Sequence, residues 1–105
     1  MMIRHVVVFR CTGGDLSMRM ANAQEVQRQL ESLRDRIPEL RHLEVGLSDR
    51  RTDSHWDAVL VTEFASTDDL DAYQAHPDHQ AVIAALDPLV QDRAIVDYSR
   101  AEESR

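Results

Sequence analysis

The sequence predicts an α+β domain: a four-stranded antiparallel sheet with its helices on one face. Three observations predict it. Four short segments are rich in β-branched residues or alternate apolar with polar ones, as strands do. Two segments between them place apolar residues at helical spacing. The order is strand, helix, strand, strand, helix, strand, and 105 residues suffice for one domain with a single small core.

Ile3 to Arg10 reads as the first strand because its His-Val-Val-Val-Phe run is β-branched and aromatic. Period two sets His5, Val7 and Phe9 on one face and Arg4, Val6 and Val8 on the other. Both sets are largely apolar, so both faces should be covered. Gly13 and Gly14 end the strand in a turn. Asp15 or Ser17 then caps a helix. Leu16, Met20, Ala23, Leu30, Leu33 and Ile37, with Val26 or Gln27 in the gap, form its sheet-facing stripe, and Pro38 stops it near Ile37. Leu40 to Leu47 is the second strand, apolar at Leu43, Val45 and Leu47. Ser48 to Ser54 is a polar loop. His55 to Phe64 is the third strand, with Ala58, Leu60, Thr62 and Phe64 on one side and Asp57, Val59, Val61 and Glu63 on the other. Ser66-Thr67-Asp68-Asp69 starts the second helix, acidic where the helix dipole is positive. Leu70 and Tyr73 share its inner face. His76-Pro77-Asp78-His79 breaks and restarts it, with Pro77 at a first helical position. Val82, Leu86 and Leu89 line the resumed helix as far as Pro88. Asp92 to Tyr98 is the last strand. The domain therefore occupies residues 1–100, and Ala101 to Arg105 is a polar tail expected to be flexible.

This order gives the ferredoxin-like arrangement, in which one sheet face stays bare. Here that face would carry His5, Val7, Phe9, Val59, Val61 and Ile95, or their opposite-parity neighbours. Either set is too apolar for water and marks an interface. A second copy related by a two-fold axis is the simplest cover.

The charge balance excludes several function classes. Nineteen acidic and 12 basic side chains give a net charge of −7. An acidic surface repels phosphate backbones and anionic lipid, which argues against nucleic-acid and membrane-surface binding. Every basic residue is Arg, so Schiff-base and P-loop lysine chemistry are excluded. No run approaches the roughly 20 apolar residues of a membrane helix, and no signal peptide is expected before Arg10. The single Cys11 makes neither an internal disulfide nor a four-ligand zinc site, and a reducing cytoplasm is the expected compartment.

A set of segments resembles one known family. They are Ile3-Arg4-His5-Val6-Val7-Val8-Phe9, Ile37-Pro38 before Leu43-Glu44-Val45-Gly46, and Phe64-Ala65-Ser66. Ala72-Tyr73-Gln74-Ala75-His76-Pro77-Asp78-His79 and Ile95-Val96-Asp97-Tyr98 complete it. Across residues 3 to 98 the chain resembles the stress-responsive A/B barrel domain (Dabb) family. The Tyr-x-x-His-Pro-x-His stretch is its most specific part. The resemblance implies ferredoxin-like chains whose sheets pair into a dimeric α/β barrel. One plant member of that family is a polyketide cyclase that closes a ring by intramolecular aldol condensation.

The resemblance implies that His79 is a general base and that Asp97 is the carboxylate holding it. The chemistry is sound, because a neutral imidazole takes an acidic α-proton from a β-polyketone while a carboxylate fixes the tautomer. Tyr73 is placed to hydrogen-bond a carbonyl as it becomes an enolate, and His5 to orient the substrate. By position the cyclase pocket maps onto Val7, Phe9, Leu30, Val59, Val82, Val90 and Ile95. The departures matter: Leu30 and Val90 replace a tyrosine and a tryptophan, Asp57 replaces a histidine, and Arg93 replaces an apolar residue. Arg93 and Asp57 would either make a polar cavity suited to a carboxylated ligand or pair with each other.

Each residue also has a structural reading. His76 reads as a helix cap and Tyr73 as core. His79 stands between cap and base. Asp97 either holds His79 or pairs with Arg93. His76-x-x-His79 lacks further ligands, so no metal is expected. Gly13-Gly14 is no dinucleotide fingerprint, and no cofactor is expected. Two functions remain open on the sequence. One is an enzyme with His79, Asp97, Tyr73 and His5 in a water-poor barrel, enolising or cyclising a small carbonyl compound. The other is a non-catalytic, stress-related homodimer binding a small hydrophobic ligand, or closed by Phe9, Val59, Ile95 and an Arg93–Asp57 pair.

Overall fold

A computed structural model describes residues 1–49, 52 and 54–101. The strands are β1 (Met2–Cys11), β2 (His42–Leu47), β3 (Ala58–Phe64) and β4 (Val90–Arg100). The helices are α1 (Leu16–Glu31), α2 (Thr67–Ala75) and α3 (Pro77–Leu86), and a 3₁₀ turn at Asp87–Leu89 leads into β4. The sheet order is β2-β3-β1-β4, antiparallel throughout, which is the ferredoxin-like topology read from the sequence.

Local chemistry sets the helix starts. The Asp15 carboxylate accepts from Met18 N at 2.8 Å and Ser66 Oγ accepts from Asp69 N at 3.1 Å, each satisfying an orphan donor. Gly13, at φ 148°, lets the turn close against α1; a Cβ there would meet Arg19 N at 2.7 Å. His76 has the extended backbone that a following proline favours, and its Nδ1 accepts from Asp78 N at 3.0 Å. His76 is thus the cap of α3.

Several boundaries differ from the sequence expectation. α1 ends at Glu31, not Ile37. Beyond Ser32 the chain tightens into turns with i to i−3 bonds from Leu33, Arg34 and Arg36, and Asp35 takes a left-handed φ of 67°. Leu33 and Ile37 stay buried from these turns, whereas Leu16 and Met20 are exposed, because the first turns of α1 project past the core. β2 and β3 start later than expected, and β4 is longer at both ends. Residues 50, 51 and 53 of the expected loop, and 102–105 of the expected tail, lie outside the described residues.

The alternation on β1 decides what faces what. His5, Val7, Phe9 and Cys11 are buried under the helices with Ala58, Leu60, Thr62 and Phe64 of β3. The bare face carries Val6, Val8, Val59, Val61 and Val96, because Val6 pairs with Val61 and Val96 and Val8 with Val59. The named set of His5, Val7, Phe9 and Ile95 is therefore on the covered face, and only Val59 and Val61 of that set are on the open one. Register settles this, since antiparallel partners point the same way.

Candidate active site

The register of β1 with β4 sets Phe9, Val7 and His5 beside Arg93, Ile95 and Asp97 on the helix side. α2 and α3 bring Gln74, His79 and Ile83 over this row, and α1 contributes Leu30. Together with Leu60, His5, Val7, Phe9, Leu30, Arg93, Ile95, Gln74, His79 and Ile83 line a pocket of about 200 Å³. Hollows of about 360 Å³ at the Gly13–Gly14 turn and 260 Å³ on the open face are larger. In the first, Arg19 and Asp15 are committed to Asp57 and to capping; the second is lined by Val8, Gly46, Leu47, Ser48, Trp56, Ala58 and Val59, with no acid or base. The histidine pocket is where chemistry has the means.

His79 is held by its backbone neighbour. Its ring Nδ1 donates to the Gln74 carbonyl at 3.1 Å, which fixes the neutral tautomer and leaves the Nε2 lone pair available. Burial pushes its pKa below the usual value of 6.5; the Gln74 carbonyl opposes this, and nearby His5 and His76 reinforce it. His79 is therefore uncharged at neutral pH.

Asp97 holds a different histidine from the one expected. Its Oδ1 lies 2.5 Å from Nδ1 of His5, a buried ring directly across the β1–β4 ladder. Tyr73 packs behind His79 with ring centroids 4.6 Å apart, and against Phe64 at 4.9 Å. It is fully buried, which pushes its pKa up to about 12, and its hydroxyl has no hydrogen-bond partner among the described residues. Tyr73 supports the base rather than lining the pocket.

Four other expected residues fall elsewhere. Asp57 is fully buried, 3.0 Å from Arg19 and accepting from Cys11 N at 2.8 Å, so it ties β3 to α1 and β1. It does not pair with Arg93. Val59 is on the open face, Val82 packs in the core, and Val90 packs half-buried at the start of β4. The interior is thus not filled by an Arg93–Asp57 pair with Val59, which leaves the ligand-binding form of the non-catalytic reading standing. Gln74, Ile83 and Leu60 were not anticipated. Ile83 follows His79 by one helical turn, and Leu60 shares the Thr62 parity, so both left a sequence signal. The Gln74 carbonyl left none, because any residue supplies one. Among the described residues no group of three or more His, Cys, Asp or Glu side chains is placed to hold a metal ion. No described helix is long and apolar enough to cross a membrane.

Fold and pocket together define a ferredoxin-like α+β protein with a histidine-bearing pocket beneath its helices. The chain belongs to the stress responsive A/B barrel domain family, whose model matches residues 3–100. A dimeric ferredoxin-like protein of unknown function from Thermobifida fusca is 30% identical, with a TM-score of 0.80 over 95% of this chain and 92% of that one. A dimeric protein of unknown function from Bacteroides fragilis is 29% identical, with a TM-score of 0.81 over 94% and 96%. The hydroxynitrile lyase of Passiflora edulis shares the fold at 14% identity, with a TM-score of 0.78 over 99% and 97%. No curated protein matches the chain.

Proposed function

We propose that the protein is an enzyme that enolises a small carbonyl compound, with His79 as general base, and drives an aldol-type cyclisation or a related step. The observation that carries this reading is His79 itself. Its Nδ1–H is committed to the Gln74 carbonyl and its Nε2 is available in a largely apolar pocket. Nε2 takes the proton from the carbon next to the carbonyl. The C–H electron pair becomes the enolate double bond, and the carbonyl oxygen takes the charge. In a cyclisation the enolate carbon attacks a second carbonyl of the same molecule, and the imidazolium returns the proton to the new alkoxide. This proton transfer draws on no cofactor. The pocket is below the roughly 300–1,000 Å³ of drug-sized sites, which suits a small substrate.

The open face supports a homodimer. Val6, Val8, Val59, Val61 and Val96 form an apolar strip, with Val96 61% exposed and Tyr98 42% exposed beside it. Related dimeric structures support a second copy as the cover. Light scattering should then give twice the 12.0 kDa chain mass.

The test of the base is turnover of a panel of linear β-polyketones, together with deuterium uptake from D₂O next to the carbonyl. His79→Ala and His79→Gln should each lose about 10²–10⁴-fold in rate while keeping the dimer mass. A His79→Ala protein as active as the parent removes the base.

A further inference from the structure

Among the described residues, Arg93 is a cation without a counter-charge. Its guanidinium lies over the Phe9 ring, 5.9 Å from the centroid, and the residue lines the His79 pocket. Its acidic neighbours are occupied. Asp97 faces His5 at 2.5 Å, Asp57 faces Arg19 at 3.0 Å, and an Asp92 carboxylate oxygen accepts from the Arg93 backbone N–H at 3.0 Å. No ion pair forms on the Arg93 side chain among the described residues, in a chain whose net charge is −7. The walls around it are Val7, Phe9, Leu30, Leu60, Ile83 and Ile95.

We propose that Arg93 is the specificity-determining residue of this pocket and selects a substrate that carries a carboxylate as well as the reacting carbonyl. The proposal rests on the reading of the pocket as a substrate site. A planar guanidinium matches a carboxylate with two parallel N–H bonds, and stacking on Phe9 holds the fork in place beforehand. Low-polarity walls strengthen the contact. The rest of the substrate follows from the geometry: a carboxylate against β4, an apolar body along Val7 and Leu60, and an acidic C–H facing His79 on α3. A neutral ketone would leave the guanidinium facing the pocket without a partner, which disfavours it.

The experiment compares 4-oxohexanoate with its methyl ester by calorimetric titration of the full-length protein. The parent should bind the acid about 10–100-fold tighter than the ester. Arg93→Met should bring the acid-to-ester ratio near one, and Arg93→Lys should leave it in between, because an ammonium keeps the charge and loses the fork. Equal binding of acid and ester by the parent overturns the proposal. So does an acid preference that survives in Arg93→Met, or no binding of either probe at millimolar concentration. Deuterium uptake by the parent separates this from the enzyme reading. A strong acid preference with no uptake on any carbonyl compound sinks the enzyme and leaves Arg93 as the selector of a carboxylate ligand. Uptake on neutral β-polyketones with no acid preference keeps the base and sinks the selector.

Discussion

On the helix side of β1, His5, Val7 and Phe9 are 3%, 5% and 2% exposed, whereas Val6 and Val8, one residue along, are only half-buried on the open side. Both sides are built from the same strands and are similarly apolar at their centres. They differ in how polar groups are distributed. On the covered side the polar residues are set singly among apolar ones, and several engage specific partners: His5 with Asp97, Asp57 with Arg19, His79 with Gln74. On the open side they flank the valines: at one end Arg4 donates to Glu63 and Tyr98 and Arg100 lies 3.6 Å from Glu63, at the other Arg10 sits opposite Asp92, and Glu44 lies beside Val61. Isolated, positioned polar groups in an apolar wall suit chemistry. A valine strip flanked by charges suits docking.

The sharpest way to break this contrast is to put the same charge on adjacent residues. Val7→Asp buries an unpaired carboxylate under the helices. The cost is several kcal/mol against a total stability of about 5–15 kcal/mol, so the chain should fail to fold. Val6→Asp puts the charge between Val61 and Val96 on the open side. That variant should fold, and its mass in solution should fall to one chain. Circular dichroism and light scattering on both variants decide it. If the two lose structure alike, or if Val6→Asp keeps the parent mass, the two faces do not have the roles assigned to them.

A smaller effect is expected at Asp57, whose removal leaves Arg19 without its buried partner. Asp57→Ala should cost about 3–5 kcal/mol in urea unfolding. Asp57→Asn keeps an acceptor for the Cys11 N–H and should cost less. Equal losses would show that the hydrogen bond is immaterial and the charge decides.

Most of the fold was legible because the strands are β-branched runs or alternate apolar with polar residues, and Ser66, Pro77 and Asp15 mark helix starts by mechanism. The end of α1 was not. The spacing of Leu30, Leu33 and Ile37 is compatible with both an α-helix and tighter turns, and all three are buried here through a combination of the two. The parity of the sheet was not legible either, since His5, Val7 and Phe9 look no more apolar than Val6 and Val8. Within the site, His79 and Arg93 came from the family resemblance, His79 by its place in the Tyr-x-x-His-Pro-x-His stretch and Arg93 as a departure from the mapped pocket. The partner of Asp97 did not. It depends on the pairing of residue 5 with residue 97 across 92 residues of chain, which no local pattern encodes.

The smallest effect separates the two sides along the pH axis. His79 on the covered side has its pKa lowered by burial, so the folded protein favours the neutral ring. In the unfolded chain that ring protonates near 6.5. Below this value the unfolded state binds more protons, so this contribution to stability is complete above about pH 6.5 and is lost as pH falls toward the lowered folded value. Glu63 on the open side is held below the usual carboxylate value by its hydrogen bond from Arg4. Its contribution is present above about pH 4.5 and is lost only as pH falls through its own lowered value. Melting curves across pH should therefore show a near-neutral slope that His79→Gln removes and an acid slope that Glu63→Gln removes. Under the proposed reaction the same lowered pKa governs the rate: kcat/KM should rise with pH with its midpoint below pH 6.5, because only the neutral ring accepts the substrate proton. A rate whose midpoint lies above 6.5 would mean that the group taking the proton is not the ring that burial holds neutral.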